Sequence, residues 1–146
     1  MTRAPRWLKL INRLYMVLLR RGVYFSAEQP VVLTTPGRKS GKPRSTPVTP
    51  MEVDGQRYIV AVFPGADWVA NVRAAEHATL TDRRYTEHVQ LVELPSQDAR
   101  PVLRLVPVQV PAGIGFLKNS GLVSDGTPEE LEGLAGVLPV FRVDAA

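Results

Sequence analysis

The sequence predicts an antiparallel β-barrel or α+β domain with short helices at its ends, on three observations. Asp54-Gly55 sits between two extended runs, a strong signal for a two-residue hairpin turn. Strand-like runs follow one another through the middle of the chain, without the regular strand–helix alternation of parallel sheets. No internal repeat is visible. The expectation is roughly six strands and three or four short helices. At 146 residues, 45% of them hydrophobic and 22% charged, the chain suits one domain, 1–146, with a core of its own.

The first element is read from residues 5–21, PRWLKLINRLYMVLLRR. Helical spacing places Trp7, Ile11, Leu14, Tyr15 and Leu18 on one face and Arg6, Lys9, Arg13 and Arg20 on the opposite one. Pro5 suits the first turn and Gly22 the stop. Lys9, Asn12 and Arg13 interrupt the apolar run, which is too short and too charged to cross a bilayer. No small-residue cleavage site follows it, as a signal peptide would require. Two readings stand for this amphipathic helix within 1–25: a stripe packed on the 30–146 barrel, or a helix lying on an anionic membrane surface.

After Pro30, VVLTT (31–35) reads as a strand. Residues 44–53 and 56–63 flank Asp54-Gly55 as hairpin partners, with Pro47 and Pro50 making the first partner edge-like or bulged. A turn at Pro64-Gly65 leads into a short helix, with Asp67 as N-cap and Trp68, Val72 and Ala75 as its inner stripe. Strands are expected at 78–82 and 84–95, the latter alternating Val89, Leu91 and Glu93 against His88, Gln90 and Val92. Residues 97–107 suggest a helix or irregular helix with Pro101 near its start, and PAGIGFLKNSGLVSDG (111–126) a Gly-rich loop. Thr127-Pro128-Glu129-Glu130 has the form of a capping box, opening a helix to about Gly136. VLPVFRV (137–143) closes the chain as a strand.

The absence of cysteine removes disulfides and thiolate chemistry and suits a reducing cytoplasm. With only His77 and His88 as imidazoles, no protein metal site is expected. The net charge of +4 conceals an asymmetry: residues 1–44 hold ten Lys/Arg against one acid, and the rest of the chain is acidic. Positive potential is therefore concentrated early, where it attracts anions.

Its densest point lies in TTPGRKSGKPRSTPVTP (34–50), where Arg38, Lys39, Lys42 and Arg44 accompany Gly37 and Gly41 without an acid. A nucleotide-triphosphate P-loop is excluded, because the glycine spacing is too short and Pro43 stands where that motif needs Ser or Thr. A nucleic-acid groove is disfavoured, because no aromatic residues interleave with the cations. A solvated turn and an anion cradle are left. The cradle would be built from backbone N–H groups, Ser40, Ser45 and Thr46 hydroxyls, and the Arg38, Lys39 and Arg44 charges.

VVLTTPGRKSGKPRSTPV, followed by the DG hairpin, the YIVAV strand and the DWVANVRA helix, resembles the deazaflavin-dependent nitroreductase family. The resemblance covers about residues 30–95 well and implies a six-stranded antiparallel split β-barrel of FMN-binding-like architecture. It also implies coenzyme F420 as cofactor, an oxidoreductase activity, and hydride transfer to an electron-poor small molecule such as a quinone or activated alkene. By the same resemblance Arg38, Lys39 and Ser40 sit at the phosphate of the phospholactyl-glutamate tail, with Arg44 across from them. Ser45, Thr46, Pro47, Val48 and Thr49 run beneath the cofactor, and Val60, Ala61, Val62 and Phe63 pass beside the deazaflavin. Asp67, Trp68 and Asn71 close the site from the short helix. Segment 63–67 is short and lacks lysine, and no tyrosine follows Tyr85, so nitroimidazole-type reduction is not what the match implies. No side chain is singled out as a catalytic acid: His88 and Tyr85 read as packed or exposed, and solvent supplies the proton. The competing readings are an FMN enzyme of related architecture and a non-enzymatic barrel binding a lipid, flavin or membrane surface. Location is expected to be cytoplasmic, with peripheral contact at the inner face of the membrane through 5–21 on the second reading of that helix.

Overall fold

A computed structural model describes residues 30–146, apart from 64, 83 and 84. The expected amphipathic helix at 5–21, and its membrane contact, lie outside the described residues. The strands are β1 (Val31–Pro36), β2 (Pro43–Val48), β3 (Met51–Val53), β4 (Gln56–Val60), β5 (His77–Thr81), β6 (Thr86–Glu93) and β7 (Val140–Ala145). They form one sheet in the order β2-β1-β5-β6-β7-β4-β3, antiparallel at every pairing. Among the described residues five helices accompany it: α1 (Asp67–Ala75), α2 (Ser96–Leu103), α3 (Val106–Gln109), α4 (Pro111–Asn119) and α5 (Pro128–Glu132).

The sheet's two terminal strands, β2 and β3, are joined only by Thr49-Pro50. Two residues span no more than about 10 Å, so the sheet must curl until its ends meet. They do not hydrogen-bond to each other: β2 pairs with β1 and β3 with β4. The result is a split barrel whose seam lies at Pro50, a residue with no N–H to offer a ladder. The expected single strand 44–53 is thus two strands on opposite edges, which raises the count from six to seven. Asp54 and Gly55 take φ of 52° and 79°, the paired positive values of a type I′ hairpin, and join β3 to β4 as their sequence demands.

Two apolar clusters lie on either side of the sheet. The first gathers Leu33, Ile59, Val89, Leu91, Phe141 and Val143 against Val69 and Val72 of α1. The second gathers Met51, Val102, Leu103, Leu117, Leu131 and Val140 between the sheet and the C-terminal helices. Successive side chains of a strand point to opposite faces, so β4 and its extension feed both clusters: Ile59 and Ala61 the first, Tyr58, Val60 and Val62 the second.

Three helix expectations need correction. Asp67 is not the N-cap; Ala66 occupies that place without a side-chain cap bond, and Asp67 is the first helical residue. The buried stripe of α1 is Val69, Asn71 and Val72, with Trp68 and Ala75 only half-buried. The loop expected at 111–126 is instead α4 followed by a turn, with Leu117 and Val123 fully or nearly fully buried. Pro111 starts α4, and burial of Leu117 and half-burial of Ile114 on the second cluster override the poor helix propensity of Gly113 and Gly115. Residues 111–119 are therefore a helix packed on the second cluster, not an open loop. The helix or irregular helix expected over 97–107 is observed as α2 followed closely by α3. Glu93 does not join the buried alternation of Val89 and Leu91; it is exposed and ion-paired with Arg73. The capping expectation holds: Thr127 Oγ1 accepts from the Glu130 N–H at 3.2 Å.

Candidate functional site

The basic segment is the turn of the β1–β2 hairpin. Its backbone is knotted internally: Gly37 N–H donates to Lys42 O at 2.8 Å, and Gly41 N–H to Gly37 O at 2.8 Å. Gly41 has φ of 74°, a conformation that side chains disfavour. A Cβ on Gly37 would stand 3.1 Å from Lys42 O and 3.3 Å from Arg44 Cγ, so the glycine lets the two arms of the turn close. The Lys42 N–H donates to Ser40 Oγ at 3.2 Å, and Thr34 Oγ1 bonds Ser45 Oγ at 2.8 Å across the ladder.

The turn is fastened to α1. Asp67 and Asn71 are one helical step apart at i and i+4, so both reach the same neighbour. That neighbour is Arg38. Its backbone N–H donates to Asn71 Oδ1 at 3.1 Å, and its Nη1 donates to the same oxygen at 2.9 Å. Nη1 also lies 3.4 Å from Asp67 O, and Nη2 lies 3.6 Å from Asp67 Oδ1. Asn71 is only 4% exposed, so these bonds satisfy a buried amide oxygen.

The other expected residues are distributed around this fastening. Lys39, Ser40, Lys42, Arg44 and Ser45 are exposed. Thr46, Pro47 and Thr49 are half-buried, and Val48 enters the first cluster. Ala61 is buried there too, while Val60 and Val62 turn to the second cluster. Trp68 tilts against Phe141, ring centroids 5.7 Å apart. Phe63 meets Phe116 of α4 edge-on at 5.2 Å, and Val62 touches the Gly113 backbone so closely that an added Cβ would lie 3.1 Å from its Cγ1. Phe116 and Gly113 were missed because two glycines hid the Ile114/Leu117 spacing of a helix. Lys42 shares the turn with the named cations and belongs with them.

The donor set fits an anionic tail. Lys39, Ser40, Lys42, Arg44 and Ser45 offer ammonium, guanidinium and hydroxyl donors with no acid among residues 37–46. The backbone N–H groups of Lys39 and Ser40 make no hydrogen bond among the described residues. Thr35, the cross-strand partner of Arg44, is 2% exposed with its hydroxyl unpartnered among the described residues. A buried hydroxyl without a partner is uncommon. Metal chemistry has no comparable support: among the described residues no cluster of His, Asp and Glu could hold an ion. His88 is exposed on β6, and His77 sets Nδ1 2.9 Å from Ala75 O. No helix among the described residues is long and apolar enough to cross a membrane.

Comparison with solved structures shows the same fold at low identity. One, described as a domain-swapped dimer, is 23% identical with a TM-score of 0.57, covering 94% of this chain and 97% of that one. The F420-H2 dependent reductase FDR-A is 23% identical with a TM-score of 0.56, covering 84% and 100%. A nimC/nimA family protein from Clostridium acetobutylicum is 19% identical with a TM-score of 0.52, covering 92% and 90%. Comparison with curated proteins gives no match. The sequence pattern of F420H(2)-dependent quinone reductases matches residues 11–116, spanning the hairpin turn, α1 and the Phe63–Phe116 wall. The chain belongs to the F420H(2)-dependent quinone reductase family and is an oxidoreductase with coenzyme F420 as its cofactor.

Proposed function

We propose that the protein reduces a planar, electron-poor small molecule, a quinone or an activated alkene, by hydride transfer. When bound, the reduced deazaflavin supplies the hydride, a two-electron carrier's chemistry that the polypeptide lacks. The chain's own residues bind, orient and shield. Lys39, Lys42, Arg44 and the Ser40 and Ser45 hydroxyls hold the phosphorylated tail at the β1–β2 turn. Val60, Val62 and Phe63 lie beside the ring, Ala61 supports the strand from the first cluster, and Trp68 flanks from α1. Phe63 and Phe116 form an apolar wall that keeps water from the reacting face and suits a flat, greasy acceptor. No described side chain is placed as an obligate acid, so the one proton that completes the hydroquinone after hydride transfer comes from solvent.

The single observation supporting this reading is the acid-free cationic turn locked to α1 through Arg38. The test is a fluorescence titration with F420 in low salt, followed by stopped-flow oxidation of F420H2 with a soluble quinone. Saturable micromolar binding and quinone-dependent oxidation are expected. Absence of binding at tens of micromolar would remove the assignment. Tight retention of a yellow flavin by the purified protein would transfer it to FMN.

A further inference from the structure

The Arg38–Asn71 pair has a consequence for how the tail is held, resting on the functional reading above. An arginine that grips an anion needs its forked donors turned toward that anion. The Arg38 fork is turned to α1 instead: Nη1 to Asn71 Oδ1 and Asp67 O, Nη2 to the Asp67 carboxylate. Its charge is offset there by Asp67. The Asn71 oxygen receives two donors, the number its lone pairs accommodate, and it is buried. One of those donors is the backbone N–H at the start of the turn. Lys39, Lys42 and Arg44, by contrast, are exposed and have no acidic partner among the described residues.

We propose that Arg38 and Asn71 are positioning residues: they preset the turn, and Lys39, Lys42 and Arg44 carry the charge recognition of the tail. A preset turn loses less conformational freedom on binding, so the same cations give a higher affinity. Arg38, the first cation of the motif and by resemblance a phosphate ligand, becomes the strut that holds the others in place.

The proposal is tested with Asn71→Leu, Arg38→Lys and Asn71→Asp in the full chain. One readout is amide hydrogen exchange across 37–42 in the free protein. The other is affinity for F420 beside affinity for the deazaflavin riboside lacking the phosphorylated tail. Asn71→Leu and Arg38→Lys are expected to speed exchange in the turn and to weaken F420 roughly tenfold or more, equivalent to loss of about one charge-assisted bond. The tail-less chromophore should shift by less than about twofold, because the turn does not meet it. Asn71→Asp keeps an acceptor for both Arg38 donors and should keep exchange slow. Arg38→Lys alters an exposed residue, so it serves if Asn71→Leu does not fold. Weakened F420 with unchanged exchange would make Arg38 a direct ligand and overturn the proposal. So would equal losses for both chromophores, or no change in either readout. If the wild type binds no F420, the functional reading fails separately, and exchange in the free protein still decides whether the tie presets the turn.

Discussion

The side-chain amide of Gln109 pairs with the backbone of Glu52 as a neighbouring strand would. Glu52 N–H donates to Gln109 Oε1 at 2.8 Å, and Gln109 Nε2 donates to Glu52 O at 2.7 Å. β3 ends the sheet, so these are the edge groups that another chain could otherwise engage. Gln109→Leu should lower stability by about 1–2 kcal/mol, two modest hydrogen bonds' worth. It should also raise self-association on sizing columns, and a monodisperse, equally stable variant would contradict the role.

Gly113 and Val62 should behave as a coupled pair. Alanine in place of a helical glycine gains about 1 kcal/mol of propensity. Here the new Cβ meets Val62 Cγ1 at 3.1 Å, and overpacking costs about 1–3 kcal/mol. Gly113→Ala is expected to destabilise the wild type by about 1 kcal/mol and to stabilise a Val62→Ala background. Chemical denaturation of the four proteins gives the coupling directly.

Replacing Lys42 or Arg44 with alanine should weaken F420 by about 1–3 kcal/mol for each charged hydrogen bond removed. Wild-type affinity should fall as salt rises, because these cations are exposed and screened. Each alanine variant should show a shallower salt dependence than the wild type. Titrations at several ionic strengths separate the charge contribution from shape.

Glu130 links a turn to the start of α5. Its carboxylate accepts from the Ser124 and Asp125 N–H groups at 2.7 and 2.9 Å, and from Gly126 N–H at 2.9 Å. Those backbone bonds, that of Ser124 foremost, hold its pKa below the ordinary carboxylate value. A depressed folded pKa stabilises the protein above the unfolded value, and that stabilisation is lost as pH falls through the folded one. Glu130→Gln should therefore melt earlier than wild type at neutral pH. The difference should close under acid conditions, in melts followed from pH 7 to below the carboxylate range.

The features legible in the sequence were those fixed locally. Asp54-Gly55 dictated its own turn, Thr127 and Glu130 their own cap, and the glycines of the run 37–44 a tight hairpin turn. The missed features depended on distant partners. Helix α4 contains two glycines and forms because Ile114 and Leu117 find a cluster contributed by strands and helices elsewhere in the chain. Pro47 and Pro50 announced a disturbed strand, but only the long-range pairing of β2 with β1 and β3 with β4 made the disturbance a barrel seam. Asn71 entered the candidate site only by resemblance, because nothing near it in sequence reveals that Arg38 folds back to meet it.

The alternation along β4 also divides its side chains between the two apolar layers. Ile59 and Ala61 support the inner cluster, while Tyr58, Val60 and Val62 bear on the layer that includes α4. One short strand thus ties the two apolar layers together, so a one-residue slip in its register would exchange what each layer receives.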